Sequence, residues 1–215
     1  MKHQLRLAAL VVSALMVGSN VSAGPLLVTL DTSSLSGTQA VVFGFTNFDA
    51  NSNTVVLSDF AFGGGSAVPS TVDCTFGGTF SGLGCSGDLS TNVTLLDVDP
   101  TATFFLQQFD PGSALSFTLD ATSNFTGPVP DQFSMFVCDA ILSTCYSDDG
   151  SGALLLLDLN AGPISPASFV LFGASGPGLP APVVTAIAPE PATVSLLLAA
   201  AAVAACRRRR GQSLN

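Results

Sequence analysis

Leu115-Ser116-Phe117-Thr118-Leu119-Asp120 alternates apolar and polar side chains without a break. Successive side chains of an extended chain point to opposite faces, so Leu115, Phe117 and Leu119 share one face and Ser116, Thr118 and Asp120 the other. Phe133, Met135 and Val137 repeat the pattern downstream. Working outward, short apolar or alternating runs recur over 28–30, 41–48, 54–62, 92–98, 103–109, 114–120, 132–138, 153–159 and 168–172. Gly63-Gly64-Gly65, Asp110-Pro111-Gly112, Thr126-Gly127-Pro128-Val129-Pro130 and Asp148-Asp149-Gly150-Ser151-Gly152 separate them with turn chemistry. No helical period or capping pattern stands between these runs. The spacing predicts an all-β fold, an antiparallel two-sheet β-sandwich of jelly-roll-like form.

Charge is partitioned along the chain. All six basic residues lie at its ends, as Lys2, Arg6, Arg207, Arg208, Arg209 and Arg210, and the single histidine is His3. Residues 24–188 contain no Lys, Arg, His or Glu and carry all fourteen aspartates. A body so acidic repels phosphate backbones, which excludes nucleic acid as a partner. Its length suits one domain with a real core.

The ends read as addresses. Lys2 and Arg6 form a charged start, residues 7–17 an apolar run, and Val21-Ser22-Ala23 a small-residue cleavage site, so residues 1–23 are a signal peptide cut between Ala23 and Gly24. The run is short for an uncleaved membrane anchor. At the other end, prolines at 163, 166, 177, 180 and 182 lead into Pro189-Glu190-Pro191. The domain is therefore expected over 24–173 and an extended Pro-rich linker carrying the motif over 174–191. Residues 192–206 are apolar and, as a helix, reach about 22 Å, short of a ~30 Å hydrocarbon core. They form the expected transmembrane helix. Residues 207–215 form a basic tail, whose Arg207, Arg208, Arg209 and Arg210 stay in the cytoplasm and leave the acidic domain outside.

The order Ala188-Pro-Glu-Pro-Ala-Thr193, an Ala/Leu-rich apolar helix and a terminal arginine cluster resembles the PEP-CTERM sorting signal. Ala188 stands where that family most often has valine, and the helix is Ala-rich where the family's is Gly-rich. The opening Gly24-Pro-Leu-Leu-Val-Thr-Leu-Asp-Thr-Ser-Ser-Leu-Ser-Gly37 and the later Phe109-Asp-Pro-Gly-Ser-Ala-Leu-Ser-Phe-Thr-Leu119 resemble members of that group with no assigned activity. The resemblance implies export by a Gram-negative cell and cleavage near Pro189, Glu190 and Pro191 by an exosortase, a membrane cysteine protease. It also implies a partnership with exopolysaccharide.

Cys74, Cys85, Cys138 and Cys145 lie in the body. An even count in an oxidising compartment reads as two disulfides, and of the three connectivities the one joining sequence neighbours, Cys74–Cys85 and Cys138–Cys145, is expected. A zinc site would need closer spacing and has no histidine to draw on. Asp97-Val98-Asp99-Pro100 and Asp148-Asp149-Gly150-Ser151-Gly152 offer oxygen ligands of the kind Ca²⁺ takes, but neither matches an ordered calcium loop. Cys206 sits beside the arginines, away from the others.

Catalytic chemistry is poorly supplied. A serine nucleophile would have no histidine or lysine base, and only aspartates and Tyr146 titrate in the body. Two aspartates could in principle serve a glycosidase, yet no motif marks a pair. With no Trp and one Tyr there is little to stack on a sugar ring, and the sixteen Phe, mostly at strand positions, suit a core. The expectation is a non-enzymatic surface or extracellular-matrix protein with no cofactor, exported through the inner membrane and tied to exopolysaccharide or biofilm. A carbohydrate- or Ca-binding module is the alternative.

Overall fold

The structure, a computed structural model, describes residues 24–48, 53–98, 102–124, 129–159 and 164–187. The expected signal peptide through Ala23, the Pro189-Glu190-Pro191 motif, the apolar helix over 192–206 and the arginine cluster lie outside the described residues.

In chain order the strands are β1 (Leu26–Asp31), β2 (Gln39–Thr46), β3 (Thr54–Ala61), β4 (Ser66–Ala67), β5 (Cys85–Gly87), β6 (Asn92–Leu96), β7 (Ala102–Asp110), β8 (Ala114–Ala121), β9 (Asp131–Asp139), β10 (Leu155–Leu159), β11 (Phe169–Leu171) and β12 (Val183–Ala186). A 3-10 turn, Pro166–Ser168, precedes β11. Two six-stranded sheets result, ordered β12-β1-β8-β3-β6-β5 and β11-β10-β9-β2-β7-β4. Every ladder is antiparallel. The fold is all-β, as the period-2 alternation requires.

The pairings are nested. β1 pairs β8 with Leu26 opposite Leu119, β2 pairs β7 with Phe43 opposite Phe105, and β3 pairs β6 with Leu57 opposite Val93. Each successive pair lies closer to the middle of the segment and falls in the other sheet. The chain from Leu26 to Ala121 thus behaves as one long hairpin rolled across two layers.

The alternating stretch Leu115–Asp120 sits in β8 between β1 and β3, with Leu115, Phe117 and Leu119 buried and Asp120 exposed. Facing them from the second sheet are Val41, Phe43 and Phe45 of β2, Phe105 and Phe109 of β7, and Phe133, Met135 and Val137 of β9. The Phe43 ring lies 6.0 Å from that of Phe105 and 6.1 Å from that of Phe133 within its own sheet. It meets Phe117 of the other sheet edge-on at 5.3 Å. Edge-to-face rings at this separation add to the hydrophobic burial that holds the layers together.

One domain boundary needs correction. The proline-rich stretch from 174 was expected to be an extended linker, but Val183–Ala186 forms the edge strand of the first sheet against β1. Ala174, Leu179 and Val184 belong to the core, and Ala174 and Leu179 bridge each other. Prolines suit an edge strand and the turn before it because neither position needs every N–H. The folded domain therefore continues to Ile187, whose N–H donates to the Pro25 carbonyl at 3.1 Å.

Candidate functional site

All four cysteines of the body are paired as their sequence neighbours, Cys74 with Cys85 and Cys138 with Cys145. Both loops serve the second sheet. After β4, the chain follows the β7 edge: Val68 N–H donates to the Gln108 carbonyl, and Asp73 and Leu106 exchange backbone bonds of 2.8 and 2.9 Å. It then crosses to the first sheet, where Cys85 begins β5 beside β6. Gln107, buried and facing inward, ties the crossing together by accepting from Leu89 N–H at 2.8 Å and donating to the Val68 carbonyl at 3.1 Å.

The outer face of the second sheet is apolar. Val42, Leu106 and Cys138 form a second buried cluster there, with Phe76, Phe104, Phe136 and Leu142 against it. The Phe104 ring stands 5.3 Å from Phe76 and 4.6 Å from Phe80, both on the Cys74–Cys85 loop. The Phe104 ring packs over Gly44 of β2. A Cβ at Gly44 would come within 2.8 Å of the ring and 2.6 Å of the Ser134 hydroxyl. Leu142 is supplied by the Cys138–Cys145 loop, which is anchored when Gln108 donates to the Ala140 carbonyl at 2.9 Å. These loops also carry exposed apolar side chains, Ile141 at 82% and Leu83 at 63% exposure.

The first sheet presents the opposite surface. By register, Leu27, Thr118, Ser58 and Asn92 form one outward row across four strands, and Asp120, Val56, Thr94 and Ser86 another. Hydroxyls and amides predominate, with two aliphatic side chains and one carboxylate among these eight.

Two of the aspartates considered as calcium ligands, Asp148 and Asp149, bond within the fold. Asp148 accepts from the Ser175 backbone N–H at 2.8 Å and its hydroxyl at 2.7 Å, joining the turn before β10 to the segment before β12. Asp149 accepts from the backbone and hydroxyl of Ser151. Asp31 with Ser33, Asp73 with Thr75 and Asp88 with Ser90 repeat this Asp-x-Ser/Thr arrangement, and Asp139 holds Ser143. Each of these carboxyls is held below the ordinary aspartate range. The leading cause is the neighbouring hydroxyl, except at Asp148, where it is the Ser175 backbone N–H. The pattern is visible in the sequence as Asp followed two residues later by Ser or Thr, the composition of Asx turns. Among the described residues no group of three or more His, Cys, Asp or Glu is placed to hold a metal.

A buried polar node closes the far end of the fold. Asp131 accepts from Phe48 N–H at 2.8 Å and from the Asn53 amide at 2.9 Å. Asn53 in turn accepts from Asn124 N–H at 2.8 Å. This ties β9 to the starts and ends of β2, β3 and β8, a structural use of a buried carboxylate that alternation alone does not reveal. Of the candidate site residues, Gly24 sits two residues before β1, and Asp97 follows β6. Asp99 and Pro100 lie outside the described residues.

No family model, curated protein or solved structure matches the chain. The described domain is acidic and closed by two disulfides, and its ends, Gly24 and Ile187, meet at one corner beside the β1–β12 ladder.

Proposed function

We propose that the chain is a non-catalytic exported surface or matrix protein, delivered by the signal over residues 1–23 and processed by an exosortase near Pro189, Glu190 and Pro191. The body is a jelly-roll-like sandwich that serves as a stable shell outside the cell, in a matrix of exopolysaccharide. The reading rests on one ordered feature: a Pro-Glu-Pro motif, an apolar segment and four arginines follow a domain that contains no basic side chain. Two disulfides within that domain are compatible with an extracytoplasmic place. The nested strand pairing supports the jelly-roll description, because rolling one hairpin across two layers produces that winding. Deleting residues 189–215 and fractionating cells tests the delivery. The deletion is expected to abolish processing and surface location, and unchanged behaviour would refute the proposal.

A second reading, a carbohydrate-binding module, draws on the outward hydroxyl and amide rows of the first sheet. Calorimetry of the mature protein with several neutral polysaccharides tests it. A saturable isotherm lost on replacing Thr118 and Asn92 by Ala favours it, and flat titrations exclude it for those polymers.

A further inference from the structure

The last strand of the first sheet ends close to the processing motif. Residues Val183–Ala186 pair with Leu26–Thr29, and Ile187 N–H donates to the Pro25 carbonyl at 3.1 Å. Only Ala188 separates that hydrogen bond from Pro189. A protease takes its substrate as an extended strand whose backbone groups bond to the enzyme. Here the residues just before the motif already spend backbone groups on β1. The acceptor, Pro25, lies one residue after the expected signal-peptide cut at Gly24, so the clasp joins the new N-terminus to the residues preceding the motif.

Resting on the sorting reading above, we propose that β12 regulates processing. While docked on β1 it withholds the residues before Pro189, and cleavage proceeds through chains in which β12 has lifted away. The strand is built to lift. It has four residues at a sheet edge, Val184 is its one buried side chain, and Val183 is 59% exposed. Its neighbour β1 stays in place because six residues pair it to β8 on the other side. Local opening of this kind leaves the core intact, and cleavage through it follows the open population.

The test uses the full chain in a host carrying the processing protease. Ile187 and Pro25 form a hydrogen-bonded pair, so the adjacent Leu26 and Ala186 are the non-hydrogen-bonded pair, whose Cα atoms approach to about 4.5 Å, within disulfide reach. In Leu26→Cys/Ala186→Cys, with the crosslink verified by non-reducing mass analysis, unprocessed precursor is expected to rise about tenfold or more as the open population falls. The Ala186→Cys single variant should mature as the parent does, and Leu26→Cys, which trims a buried side chain beneath the clasp, no more slowly than the parent. Thr185→Pro and Val184→Asp should shorten the processing half-time in pulse-chase. Crosslinked chains that mature at the parental rate, or unchanged half-times in both loosening variants, would overturn the inference. Replacing Pro189, Glu190 and Pro191 together by Ala separates the two claims. If that variant matures normally, the sorting reading itself fails; if it is blocked while the crosslinked chain matures freely, only the strand gate is lost.

Discussion

The outward rows of the first sheet lie open to solvent with Thr118, Ser58 and Asn92, whereas the outward rows of the second lie beneath Phe76, Phe80 and Leu142 from two disulfide-closed loops. Both sheets share one core, so the difference is set by the residues that alternation turns away from it. β8 alternates strictly, and its outward Ser116, Thr118 and Asp120 tolerate water. β2 reads Ala40-Val41-Val42-Phe43-Gly44-Phe45, apolar on both faces, and a strand so composed is stable only if both faces are covered. In this fold the second cover is made from loops, and loops need fixing. The disulfides and the Asp-x-Ser/Thr turns fix them.

On that contrast, removing a cover damages the second sheet and spares the first except at its edge strand β5, which begins at Cys85. The largest effect is expected for Cys74→Ser/Cys85→Ser, at about 3 kcal/mol in the chain-entropy account of a loop this size. Urea unfolding of the mature protein measures the loss, and increased binding of an apolar dye should accompany it. Gly44→Val follows, at roughly 1–3 kcal/mol, because the added side chain meets Phe104 and Ser134 at less than contact distance and forces the ring from its place. Its distinguishing sign is faster amide exchange in the 74–85 loop than in β8.

Acid should act on the same cover. Asp73, held low by the Thr75 hydroxyl and then by Gly77 N–H, and Asp139, held low by the Ser143 hydroxyl, anchor the two loops. A carboxyl whose folded pKa is depressed stabilises the fold above its ordinary value near 3.8, and that contribution is lost as pH falls through the lower folded value. Amide exchange in 74–85 and 139–145 is therefore expected to rise below about pH 4 before the core opens. Protection in β8 should persist there. The smallest effect belongs to the open face: Thr118→Ala should change stability by less than about 0.5 kcal/mol.

Much of this was legible beforehand. Each of the nine expected apolar runs overlaps a strand, and the neighbouring cysteines are paired, because period-2 burial and short loop closure are local properties. Ser66–Ala67 and Cys85–Gly87 were missed since strands of two and three small residues carry no alternation. Val183–Ala186 was missed for another reason. Prolines at 180 and 182 signal extended chain, and extended chain beside a free sheet edge becomes a strand only through its partner. The roof over the second sheet was half visible in the two-faced apolarity of β2, yet which loops cover it depends on long-range geometry. The recurring Ser or Thr two residues after Asp31, Asp73, Asp88 and Asp149 is legible in the sequence and is the signal for their hydroxyl partners.

On the proposed route the domain is exported and then cut from its own C-terminal signal. Intact mass analysis of the protein recovered from the surface or medium of its producing cell addresses it directly. The expected chain begins at Gly24, retains both disulfides and has lost residues 192–215, Arg207 to Arg210 included. A recovered chain still carrying that arginine cluster would contradict it.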